Sequence, residues 1–217
     1  MTRVITRVKW RRKKERWMRV SKEQAAHNRQ EILTAAARLF RERGISGTGV
    51  DAITADAGLT HGAVYSQFGS KEAIVAEAIR GALMESGHLW RHLLERKGRK
   101  KAFPAIVATY LSRDHRDSAG KGCVVAALGS EIGRQPDRVR DAFTGELKDT
   151  LKLLAELMPE GHPSRRYDDA ISAFVAMLGA LILARAVSDD DLSDRILRIT
   201  GKRTIDGSRR SRDAHGS

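Results

Sequence analysis

Apolar residues in this chain recur at intervals of three and four from Ile32 to Ile199, and no segment shows the two-residue alternation of a half-buried strand. The pattern predicts an all-α protein. A first helix is expected from Ser21, where SKEQ has capping-box spacing with Gln24 returning to the cap. Its apolar face is Ile32, Leu33, Ala36, Leu39 and Phe40, and Gly44 stops it. A short helix with the stripe Val50, Ile53 and Ala57 ends at Gly58, which can take the left-handed conformation favoured after a helix. Thr60 then caps another, its hydroxyl accepting from the N–H of Gly62 or Ala63, with Leu59 and Val64 spaced as a hydrophobic staple. Two short helices at a fixed angle make a helix-turn-helix.

Ser70 caps a fourth helix, with Glu72 in its first turn where the dipole favours an anion, and this helix continues to about Lys97 as a connector. Beyond it, Phe103, Ile106, Val107, Tyr110 and Leu111 share a face, with Pro104 suited to a first turn. A short helix follows from Cys123 to Ile132, and Gly120 to Gly122 before it reads as a loop. Pro136 opens a longer helix with Val139, Phe143, Leu147, Leu151 and Leu154 on one side, ending near Pro159. Tyr167 to Ala186 is the most apolar helix, and Leu192, Ile196 and Ile199 mark a last one. The expected organisation is a basic, disordered extension (1–20), a three-helix head (21–86), a helical body joined by the connector (87–200), and a disordered basic tail (201–217).

The net charge of +13 over 217 residues suggests a polyanionic partner, but its distribution weakens that argument. Residues 1–19 carry nine Lys/Arg against Glu15, and residues 201–217 five against two, leaving only +2 on residues 20–200. The motif must therefore carry any claim of nucleic-acid binding. Met18 lies just before the first helix, so it is an alternative start of translation. One cysteine excludes an intramolecular disulfide framework, and no apolar signal follows the basic N-terminus. A cytoplasmic location is expected. The longest apolar run, Ala173 to Ala184, is short of the roughly 20 residues that span a bilayer, so it reads as a buried helix and no membrane partner is expected.

The stretches ILTAAARLFRERG (32–44), Thr48, DAITADAGLTHGAVYSQF (51–68) and SKEAI (70–74) resemble the N-terminal domain of the TetR family of bacterial transcription regulators nearly position by position. The likeness covers roughly residues 26–86; the C-terminal half resembles the family more loosely, through its helical pattern and GALILARAV (179–187). The resemblance implies a homodimeric repressor on a palindromic operator in double-stranded DNA. It implies that the helix from Thr60 to Phe68 enters the major groove, with His61, Gly62, Ala63 and Tyr65 facing base edges. Thr48, Thr60, Tyr65, Ser66 and Lys71 are similar to the family's phosphate contacts. A small, largely apolar effector is implied in the body, in a cavity lined by Trp90, Phe103, Tyr110, Leu128, Phe143 and Leu147. Filling it would tilt the connector and change the spacing of two heads. The four-residue row Ala176, Ala180 and Ala184 is a candidate for close helix approach between two subunits.

Other chemistry is thin. His88 and His92 have the spacing of a two-ligand face and Cys123 is a conceivable third ligand or a redox sensor, but no HExxH follows, and a lone cysteine is more often a small buried hydrophobe. No nucleophile elbow, phosphate loop or dinucleotide fingerprint occurs, so neither a metal, a cofactor nor an enzyme activity is expected. The alternative function is a non-specific architectural DNA binder using its basic ends.

Overall fold

The computed structural model describes residues 2–159 and 165–213, with the side chains of residues 22–159 and 165–208; the N-terminal Met1 and the last four residues of the expected tail lie outside them. The described backbone is helical throughout, with no strand: α1 (Thr2–Arg43), α2 (Val50–Asp56), α3 (His61–Phe68), α4 (Lys71–Lys97), α5 (Arg99–Tyr110), α6 (Arg113–Asp117), a 3-10 turn (Ala119–Lys121), α7 (Val124–Ile132), α8 (Asp137–Leu157), α9 (Arg166–Ala186) and α10 (Asp190–Asp213). The all-α fold expected from the apolar periodicity is the fold observed.

The head follows from its caps. Gly58 (φ 65°) sits just past α2, where its N–H donates to Ala55 O while that of Leu59 donates to Thr54 O. These are the two bonds of a Schellman motif, and they satisfy carbonyls that the helix end would leave orphaned. Thr60 Oγ1 accepts from the Ala63 N–H at 3.4 Å, and Ser70 Oγ accepts from the Ala73 N–H at 3.2 Å. Ile32, Leu39, Phe40, Ile53, Val64 and Ile74 close the core between α1, α2, α3 and α4, each almost without exposure.

α4 packs against α1 in the head and against α5 and α8 in the body, so one buried core runs through both. The boundary expected at residue 86 falls in mid-helix. α9 lies between α8 and α10, and α7 bridges α1, α4, α8 and α9. By length and composition α9 is apolar enough to cross a bilayer, contrary to the reading of its 12-residue run. Ala170, Ala173, Phe174, Met177 and Leu181 nevertheless pack on the core, which accounts for its inner face.

Four local expectations are corrected. α1 does not start at Ser21 but runs from Thr2, because no Gly or Pro interrupts residues 2–43 and Arg, Lys, Glu, Gln and Ala all favour a helix. Gln24 accordingly donates to Asn28 Oδ1 (2.9 Å) instead of returning to a cap. The tail continues α10 to Asp213, held by buried Leu197 and Ser208 and by Ile205 against the core, which offset two helical glycines costing about 1 kcal/mol each. Pro104 lies inside α5, because the helix starts a turn earlier, after Gly98 (φ 71°). The loop before α7 contains α6 and the 3-10 turn, too short to show a period.

Candidate functional site

α3 is held by one face. Val64 and Phe68, four residues apart, are buried, which turns His61, Gly62, Tyr65 and Ser66 outward and leaves Ala63 half-buried. Arg29 of α1 fixes the far end of α3: its guanidinium stacks 4.1 Å from the Phe68 ring, donates to Gln67 O at 2.9 Å, and pairs with Glu77 of α4. Tyr65 is 45% exposed, so its ring is not core. His61 Nε2 stands 3.0 Å from Asp51 Oδ1 of α2, and its ring lies 4.9 Å from that of Tyr65. Ser66 Oγ donates to Ala63 O at 2.9 Å and keeps its lone pairs outward.

Gly62 is informative because a Cβ there would meet nothing within 4 Å. A helical glycine costs about 1 kcal/mol relative to alanine, and the interior gives no reason for it. What it leaves is a low, smooth patch on the exposed face.

Thr48 is corrected. It is wholly buried, and its hydroxyl donates to Gly44 O at 2.8 Å, with Leu39 O at 3.3 Å, so it closes the α1–α2 turn and cannot reach a phosphate. Lys71 is partly committed in the same way, Nζ donating to Ile45 O at 2.7 Å, although an ammonium has two further donors. Glu72 at the α4 start is held below the usual carboxylate range by its own backbone N–H and the Ser70 hydroxyl.

The head is tied to the body at two points that sequence reading missed. Glu131 Oε2 of α7 accepts from the N–H groups of Ile45 (3.0 Å) and Ser46 (3.2 Å), just past the end of α1. Gly44 (φ 77°) makes room for this carboxylate, since a Cβ there would stand 2.4 Å from Glu131 Oε1. Arg41 Nε of α1 donates to Gly120 O (2.7 Å), and burial lowers the Arg41 pKa. Nothing in the sequence signals a pairing across 86 residues.

A cavity of about 500 Å³ lies between α4, α5, α8, α9 and the segment before α7. Of the expected lining, Trp90 and Tyr110 are on its wall. Phe103 and Leu128 are fully buried core residues, and Phe143 and Leu147 pack half-buried elsewhere on α8; these four are corrected. The wall is completed by Ile106, Thr150 and Phe174, and by His115, Gly122 and Cys123. His115 links two elements: Nδ1 lies 2.6 Å from Tyr110 O, and Nε2 accepts from the Cys123 N–H at 3.0 Å, so the proton belongs on Nδ1. Burial pushes its pKa below the usual histidine value.

The alanine row is also corrected. Ala180 and Ala184 are buried within the chain and only Ala176 is exposed, because a four-residue step advances about 40° around a helix and the row drifts from one face to another. The outward face of α9 instead carries Val175 (59% exposed) and Leu183 (56%), with Ile182 beside them and Leu192 and Ile199 on α10.

A three-helix head with an outward, cap-defined α3 on a helical body is the architecture of a helix-turn-helix regulator. The comparisons make the class specific. Residues 32–78 match the family model for bacterial regulatory proteins of the tetR family. An uncharacterised HTH-type transcriptional regulator of Mycobacterium tuberculosis is 28% identical over 176 residues, covering 74% of this chain and 86% of the relative. The repressor KstR2 of Rhodococcus jostii is 47% identical over 55 residues, 25% of this chain and 27% of its own. Reduced NemR of E. coli has a similar fold (TM-score 0.71, 18% identity, 83% of this chain and 96% of that one), as does a TetR-family regulator from Cytophaga hutchinsonii (TM-score 0.71, 20% identity, 85% and 96%). Residues 32–78 are therefore similar to the domain that the tetR-family model describes, and the described chain shares the fold of these solved structures.

Proposed function

We propose that the protein is a homodimeric repressor that holds a palindromic operator through α3 and releases it when a small, largely apolar molecule fills the body cavity. The observation that carries this reading is the two-point tie of the head to the segment that walls the cavity: Gly120 O to Arg41, and Glu131 to Ile45 and Ser46. Lys121, Gly122 and Cys123 of the cavity wall lie in the chain between the two tie points, Gly120 and Glu131, so expansion of the cavity would pull on the end of α1 as well as on α4.

On this reading His61, Gly62, Ala63 and Tyr65 meet base edges, and Thr60, Ser66, Tyr65 and Lys71 meet phosphates. His61 would leave Asp51 to do so. Repression is the activity named for the KstR2 relatives, whose likeness to this chain is confined to a stretch the length of the head. The outward apolar face of α9 and α10 supplies the dimer contact, because exposed Val175, Leu183 and Ile199 cost less when covered by a second copy. Two heads then read half-sites about one helical turn apart.

The test couples ligand to DNA. Small apolar compounds are screened for those that raise the Tm of the full chain, and each stabiliser is titrated against the operator defined by footprinting upstream of the protein's own gene. Stabilisers should weaken operator binding, since coupling between two sites is reciprocal. Stabilisers that leave operator affinity unchanged contradict the release mechanism.

A further inference from the structure

The cavity wall holds one polar group whose position is costly. Tyr110 is 6% exposed, and its hydroxyl is buried with no hydrogen-bond partner beyond the weakly accepting Cys123 thiol. Burial raises its pKa well above the usual tyrosine value, and the Cys123 thiol acts in the same direction, so the group is a neutral O–H donor. A buried donor left unpaired is destabilising, and a binding partner that supplies an acceptor recovers that loss. Around it the buried wall is apolar, through Leu83, Trp90, Ile106 and Phe174. The hydroxyl of Thr150 is already spent on Glu146 O (2.8 Å).

We infer that the cavity takes a neutral, mostly apolar molecule carrying one hydrogen-bond-accepting oxygen, and that the Tyr110 hydroxyl donates to that oxygen. The inference rests on the reading of this cavity as the effector site and adds the chemistry of its ligand. Neutrality follows from where the charges are. The charged lining residues Arg96, Asp114 and Lys121 are exposed at the rim, while Arg185, which acts on Tyr110, is committed to the carbonyls of His115 (2.7 Å) and Arg116 (2.9 Å). A carboxylate carried to Tyr110 would lose its hydration without gaining a free cation. The volume of about 500 Å³ lies in the range of small-molecule sites and suits a bicyclic ligand.

The test uses three probes of one shape on the full chain, by equilibrium dialysis: naphthalene, 2-acetylnaphthalene and 2-naphthoate. The acetyl compound should bind tighter than naphthalene by roughly threefold to tenfold, the worth of one neutral hydrogen bond. Tyr110→Phe, which keeps the ring, should erase that preference while leaving naphthalene affinity unchanged and Tm no lower. A preference that survives Tyr110→Phe, no preference in the parent chain, or tightest binding of 2-naphthoate would each overturn the inference while leaving the cavity reading intact. If none of the probes binds, or if binding persists in Ile106→Trp, which fills the cavity, the reading of the cavity as the effector site fails first.

Discussion

At Gly62 the interests of folding and recognition separate. Replacing it with alanine removes a helix-weakening glycine at a position with open space around it, so Gly62→Ala should stabilise the chain by about 0.5–1 kcal/mol in urea unfolding. The same methyl projects from the face assigned to the groove, so operator affinity should fall about tenfold or more by fluorescence anisotropy. A variant neither more stable nor weaker on DNA would remove Gly62 from the reading face. Thr48 makes the opposite case: it was legible as a position in a motif, but a hydroxyl that is part of the α1–α2 turn carries the same letter as one that faces phosphate. Only burial distinguishes them, and burial depends on Leu39 and Gly44 being brought round it.

Elements that end in caps were legible, because a Thr, a Ser or a left-handed Gly acts within a few residues of itself: Gly58, Thr60 and Ser70 mark the bounds of α2, α3 and α4. The α6 to α7 segment was not, since much of its order comes from distant groups, with Arg41 and Arg185 bonding its backbone while His115 of α6 closes onto Cys123. Two predictions belong here. Glu131→Gln keeps the shape but weakens a charge-assisted bond to two backbone N–H groups, so amide exchange at Ile45 and Ser46 should accelerate. Unchanged protection would show that the tie carries no weight. For His115 the sign is set by burial: its folded pKa lies below the usual value of about 6.5, so the folded chain binds fewer protons there than the unfolded one. Its stability contribution is therefore complete above about pH 6.5 and is lost as pH falls from there through the lower folded pKa. Urea midpoints between pH 7.5 and 5.5 should drop more for the parent than for His115→Gln; parallel curves would exclude the residue.

Over the whole molecule, the chain folds as a head and body joined through α4, with the apolar surface of α9 and α10 left outward. Which side of α9 faces out was misjudged from the alanine row, since small residues mark close approach without saying to what. Leu183→Glu should leave the monomer folded by circular dichroism, halve the sedimenting mass, and abolish tight operator binding at nanomolar protein; an undiminished dimer would move the interface elsewhere. On this reading α3 reads sequence, and the chain's large positive charge does not set the site. The most direct measurement is the affinity of the full chain for its footprinted site against a scrambled duplex of equal length, at physiological salt. A preference of about a thousandfold or more is expected. Equal affinity for the two duplexes would contradict it.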